Sequence, residues 1–101
     1  MNVAILTKDL MDKTRIEAVV RAAGGRVTDL EIADVVFVDL RTVPPREITA
    51  HAEMATVVAY GAHVDGDVLA AAAAAGALAL PRSRFFARLP ELLGVEVPSG
   101  E

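Results

Sequence analysis

Val35-Val36-Phe37-Val38-Asp39-Leu40 sets four β-favouring apolar residues in a row and closes them with an acid. A strand with one wet face alternates apolar and polar positions. An unbroken apolar run of this length instead fits a strand covered on both faces, as in a parallel sheet flanked by helices. Upstream, Val3-Ala4-Ile5-Leu6 has the same character and ends in Thr7-Lys8-Asp9. Asp9 or Asp12 can then cap a helix through about Ala23, with Met11, Ile16, Val19, Val20 and Ala23 inward and Gly24-Gly25 as its stop.

Arg26 to Leu30 reads as a further short strand or the vestige of one. Only Glu31 to Asp34 separate it from Val35, and parallel neighbours need a crossover of about a dozen residues, so no ordinary helix fits there. Thr28-Asp29-Leu30-Glu31 matches a capping box and can hold one helical turn instead. Downstream, Pro44-Pro45 can start a helix to about Glu53, and Thr56 to Tyr60 is the next strand, closed by Gly61. Asp65 can cap a helix whose body is Val68-Leu69 and the alanines 70–75, stopped by Gly76. Ala77 to Leu80 is the last strand, and Ser83 can cap a final helix through Leu93 that Pro90 should kink or restart. The alternation predicts an α/β fold of three layers, a parallel sheet of four to five strands with its second helix deleted or reduced to one turn.

Composition narrows the function classes. At 101 residues, 53% hydrophobic and mean hydropathy +0.42, the chain has one domain's worth of core, expected over 1–94 with a loose tail over 95–101. Net charge is −4 and the ten basic residues are scattered, so direct binding to nucleic acid is not expected. Cysteine is absent, which removes disulfides, thiolate nucleophiles and cysteine-ligated zinc. No apolar run reaches the roughly 20 residues of a membrane span, and the N-terminus lacks the basic lead-in of a secretory signal, so a cytoplasmic protein is expected. A single asparagine, no glutamine and eight Arg against two Lys suit a thermophile or a GC-rich codon bias.

The element order and spacing resemble the receiver domain of two-component response regulators, with its flavodoxin-like fold, over about residues 2 to 93. In that family the first strand ends in two acids, the third in a phosphoacceptor Asp, the fourth in Ser or Thr and the fifth in Lys-Pro. Here Lys8-Asp9 stands at the acidic pair, Asp39 at the phosphoacceptor, Gly61 at the hydroxyl residue and Pro81-Arg82 at Lys-Pro. The motifs are half present, so the resemblance is to a degenerate receiver, a pseudo-receiver.

Parallel sheets place ligands beyond the carboxyl ends of their strands, and that edge gathers Lys8, Asp9, Asp39, Gly61, His63, Pro81 and Arg82. Receiver phosphorylation uses Mg²⁺ held by carboxylates. An ammonium at Lys8 would compete for that place, since unit charges 4 Å apart attract by roughly 4 kcal/mol at an effective dielectric of 20, so an internal Lys8–Asp39 ion pair is expected. The plainer alternative for Asp39 is a strand-end acid with local hydrogen bonds only. His63, Asp65 and Asp67 read as a loop histidine and capping acids rather than metal ligands, His51 as a surface residue, Tyr60 as packing and Ser83 as a cap rather than a nucleophile.

Two binding surfaces remain. Arg82, Ser83 and Arg84 at a helix start form an anion-friendly cluster. Receivers commonly dimerise through their last helices, so the resemblance implies a homodimer face from Val68, Leu69, Ala72, Phe85, Phe86 and Leu89, unless the domain's own core consumes them. The expected function is a non-enzymatic signalling module that acts on a protein partner, without metal or cofactor. The alternatives are a working phosphoacceptor using Asp39 and Asp9 with Mg²⁺, and a small-anion binding domain.

Overall fold

The computed structural model describes residues 1–94, so the expected tail over 95–101 lies outside the described residues. β1 (Asn2–Leu6) leads to α1 (Leu10–Ala22), β2 (Arg26–Val27) and a 3-10 turn at Leu30–Ile32. β3 (Val35–Asp39) is followed by a 3-10 turn at Pro45–Glu47, which runs into α2 (Ile48–Met54). β4 (Thr56–Gly61), α3 (Gly66–Ala74), β5 (Leu78–Pro81) and α4 (Arg82–Leu92) complete the chain. The strands pair in parallel in the order β2-β1-β3-β4-β5.

β3 lies at the centre, and all five of its residues are buried. Successive side chains leave it on opposite faces. Val35 and Phe37 join Val3, Val58, Tyr60 and Leu80 under α1 and α4, whereas Val36 and Val38 join Ala4, Val57 and Ala59 under α2 and α3. Phe85 of α4 anchors the first layer, stacked on Tyr60 at 4.5 Å and edge-on to Phe37 at 5.4 Å. The uninterrupted apolar strands thus reflect two helical layers.

β2 is a true strand, but it pairs with β1 only at Asn2↔Arg26 and Val3↔Val27. The second helix is reduced to the single turn at Leu30–Ile32, as the short spacer requires. The capping box does not form there: Thr28 Oγ1 donates to the Asp29 carbonyl, and no side chain caps the turn. The helix expected from Pro44-Pro45 arrives in two pieces, a 3-10 turn and then α2.

Several local expectations fail for identifiable reasons. Asp9, not Asp12, is the cap of α1, accepting from the Met11 and Asp12 backbone N–H groups. The buried stripe of that helix is Asp12, Ile16 and Val20, while Met11 is 83% exposed, one position out of phase. Asp65 sits at the start of α3 but makes no side-chain cap bond. Ser83 is not a cap, because α4 already begins at Arg82 directly after Pro81. Pro90 does not end α4, which continues to Leu92; near the C-terminus the proline deletes one ladder bond without stopping the helix.

Candidate functional site

The carboxyl ends of β1, β3 and β5 deliver an ionic cluster. Asp39 is the last residue of β3, and the chain turns sharply after it, with the Thr42 and Val43 N–H groups both donating to the Asp39 carbonyl at 2.8 and 3.0 Å. That turn folds Arg41 back over Asp39. The Arg41 backbone N–H and Nε donate to Asp39 Oδ1 at 2.9 and 3.0 Å, and Nη2 donates to Oδ2 at 2.8 Å. Thr7, just past β1, donates its hydroxyl to Oδ2 at 2.8 Å. Asp39 is 1% exposed, so both its oxygens are engaged inside the protein.

Asp12 is the second buried acid, at 2% exposure. Arg82 grips both its oxygens with its two terminal nitrogens, Tyr60 donates its hydroxyl at 3.0 Å, and Arg41 Nη2 lies 3.0 Å away. Arg41 Nη2 also reaches Asp9 Oδ2 at 3.4 Å. One nitrogen therefore touches three carboxylates, and two guanidiniums tie β3, the start of α1 and the start of α4 together.

The electrostatics follow from these contacts. Burial alone would push the Asp39 carboxyl up, but the hydrogen bonds from Arg41 and Thr7 outweigh it and hold the carboxyl below the usual carboxylate range. The Arg82 hydrogen bond likewise depresses Asp12 against the opposing effect of burial. Arg41 and Arg82 are raised, each chiefly by its bonds to Asp39 and Asp12 respectively, and burial raises the Tyr60 phenol. Asp12, Asp39, Arg41 and Arg82 are thus charged, and Tyr60 protonated, across the neutral range. No buried side-chain nitrogen or oxygen among the described residues lacks a partner.

The expected Lys8–Asp39 ion pair does not form. Lys8 is exposed and contributes only its backbone N–H, to Thr42 Oγ1 at 3.1 Å, because Arg41 reaches Asp39 with a shorter loop and two donors. Asp39 is bonded instead by Arg41, two residues on, and by Thr7, just past the neighbouring strand β1. Gly61 is buried at the end of β4, and a Cβ there would stand 3.3 Å from Leu40 Cδ1 and 3.5 Å from Leu69 Cδ2. His63 is exposed in the following loop, away from the network's hydrogen bonds, and His51 is half-buried on α2. Pro81 ends β5 opposite Gly61.

Arg82, Ser83 and Arg84 do not converge on one point: Arg82 is turned inward onto Asp12 while Ser83 and Arg84 are exposed. The proposed dimer face is corrected more sharply. Ala72, Phe85, Phe86 and Leu89 are all within the domain's own two cores, leaving Val68 and Leu69 only partly covered. The residues that sequence reasoning missed are Thr7, Asp12 and Arg41, together with the hydrogen-bonding role of the Tyr60 hydroxyl. Asp12 had a signal, since it lies four and eight residues before Ile16 and Val20 on the inward stripe.

The magnesium site that the resemblance implies can be checked against these donors. Mg²⁺ needs carboxylate and water oxygens at close range in octahedral array. Here the oxygens of Asp39 and Asp12 accept from guanidinium, hydroxyl and backbone donors, and Asp9 Oδ1 is spent on capping α1. The residues present do not fit the metal. Among the described residues no group of three His, Cys, Asp or Glu could hold one.

No protein-family model matches the chain, and no curated protein does either. Solved structures do. A response regulator from Thermotoga maritima superposes with TM-score 0.73 at 18% identity, covering 92% of this chain and 93% of that one. A response regulator receiver protein from Burkholderia phymatum gives TM-score 0.66 at 21% identity, over 96% and 98% of the two chains. A CheY-like protein, TadZ, from Pseudomonas aeruginosa gives 0.66 at 25% identity, over 98% and 97%. With five parallel strands in one sheet, helices on both faces and these neighbours over nearly its whole length, the chain has the flavodoxin-like fold of a response regulator receiver domain.

Proposed function

We propose that the protein is a non-enzymatic pseudo-receiver, a cytoplasmic signalling module that works through protein contact and does not turn over a phosphoryl group. The observation that carries this reading is the state of Asp39. A phosphoacceptor carboxylate must present a free oxygen to phosphorus and share a cation with the incoming group. Asp39 is buried, and the Arg41 side chain and backbone, with the Thr7 hydroxyl, take both its oxygens. Phosphorylation would require breaking a charge-assisted fork and leaving Arg41 without its principal partner.

The constant surface left for a partner differs from the one the sequence suggested. If the module acts as a homodimer, the aromatic residues of α4 are not the contact. The outer face of α3, with Ala70, Ala71, Ala73 and Ala74, and Leu78 at 45% exposure beside it, is what the last third of the chain offers. No helix among the described residues is long and apolar enough to cross a membrane.

Incubation with acetyl phosphate and Mg²⁺ at millimolar concentration, followed by intact-mass spectrometry, tests the reading. We expect the mass to stay unchanged. A gain of about 80 Da, one phosphoryl group, that disappears in Asp39→Asn would establish the phosphoacceptor alternative instead.

A further inference from the structure

We infer that the outer edge of β1 at Ile5 is a docking site for an extended peptide, which adds to the sheet as a strand beyond the end of β2. The inference goes beyond the reading of Asp39 and does not depend on it. Along this edge the Arg26 and Thr28 N–H groups donate to the Met1 and Val3 carbonyls at 2.9 and 2.8 Å, so the odd-numbered residues of β1 turn their backbone groups toward β2. The Asn2 carbonyl accepts from the Asp34 N–H at 2.8 Å, on the β3 side. The next acceptor in the odd series is the Ile5 carbonyl, and its donor would be the N–H of Leu30. By then β2 has ended at Val27 and the chain has left the sheet for the 3-10 turn at Leu30–Ile32. Among the described residues neither the Ile5 N–H nor the Ile5 carbonyl has a hydrogen-bond partner.

The open edge lies in a recess. A groove of about 690 Å³ runs beside Ala4, Ile5 and Leu6. Lys13 and Glu17 of α1 line one wall, and Leu30 and Ile32 of the shortened crossover line the other. These walls belong to opposite faces of the sheet, since Ile5 packs against the core under α1 and Leu30 against the core under α2 and α3. Ile32 is 61% exposed, so the second wall presents apolar surface to whatever enters.

One unpaired donor and one unpaired acceptor on a single strand residue select their occupant by chemistry: the carbonyl and N–H of another extended backbone. In an antiparallel approach one peptide residue exchanges both bonds with Ile5. Side chains of an extended strand alternate, so successive peptide residues face the two walls in turn. The peptide is therefore patterned with period two, apolar toward Leu30 and Ile32 and polar or charged toward Lys13 and Glu17. A second copy of the chain fits less well, because its own β2 flanks the Asn2–Val3 half of its β1 and leaves only the short stretch from Ala4 to Leu6 open.

The test is amide hydrogen exchange followed by NMR on the full chain, alone and with a peptide selected from a phage-displayed library of random dodecapeptides. In the free chain we expect the Ile5 amide to exchange at least about tenfold faster than those of Ala4 and Leu6, which face β3. The selected peptides should share the period-two pattern and slow exchange at Ile5 by at least about tenfold. Ile5→Pro removes from the backbone only an N–H that bonds to nothing in the domain, so it should stay folded and lose the peptide. Equal exchange at Ile5, Ala4 and Leu6 in the free chain, no enriched peptide, a peptide that leaves Ile5 exchange unchanged, or undiminished binding by folded Ile5→Pro would each overturn the proposal. Should Ile5→Pro be unfolded by circular dichroism, Ile32→Asp must weaken binding, and unchanged affinity there also overturns it. Protection of Ile5 that rises with protein concentration before any peptide is added would give the edge to a second copy, and so overturn it as well.

Discussion

Asp12 shows how one residue can carry an architecture that the sequence only half announces. An acid on the inward stripe of a helix conflicts with burial unless it is paired, and the pairing comes from Arg82, seventy residues away. Periodicity therefore could have flagged Asp12 as a site residue, but nothing local could name its partner. Arg41 was less legible still, because its direction is set by the tight turn after β3 and not by any motif. Lys8 looked better placed and lost to geometry. Asp12→Ala removes the anchor of Arg82 and of the Tyr60 hydroxyl together. Since Arg82 is 42% exposed and can be hydrated, we expect a loss of about 2 kcal/mol rather than the larger cost of breaking a fully buried pair, read as a lower midpoint in urea. Tyr60→Phe deletes only the hydroxyl bond and should cost about 1 kcal/mol; an equal or larger loss than Asp12→Ala would remove Arg82 from the account.

Elements were legible where burial alone decides them. Val35–Asp39, Thr56–Gly61 and Asn2–Leu6 are apolar runs that both faces of a covered sheet require, and their positions follow from the sequence to within a residue or two. Caps were not, because whether a serine or aspartate closes a helix depends on where the preceding strand releases the chain. Pro81 hands β5 directly to α4, leaving Ser83 one residue inside the helix. Helix stops fared better: Gly76 follows the end of α3 at φ +111°, and a Cβ there would stand 3.0 Å from Ala52 Cβ on α2. Gly76→Ala meets both backbone strain and a tight contact with α2. We expect it to lose about 1 to 2 kcal/mol, seen as a melting temperature lower by roughly 5 to 15 °C, whereas an unchanged melting temperature would mean that Gly76 does not lie so close to α2.

At the scale of the molecule, the parallel sheet and its two helical layers were readable, and so was the edge at which ionisable groups collect. Which of them bond to which was not, since that depends on loops whose conformation no periodicity encodes. The outcome is a receiver fold whose carboxylates are neutralised from within by Arg41 and Arg82. Both acids are held below the ordinary carboxylate range, so the stabilisation they give is complete above about pH 4 and fades as the pH falls through their folded-state values. The network is at full strength at neutral pH, where a phosphoacceptor would need Asp39 free.

The most direct measurement is a carboxyl carbon-13 NMR titration of Asp39 in the native chain, run with and without 10 mM Mg²⁺. The guanidinium-bound carboxylate described here titrates below the normal aspartate value of about 3.9 and gives the same curve in both buffers. A titration at or above that value, or a resonance that moves when magnesium is added at neutral pH, would contradict the account.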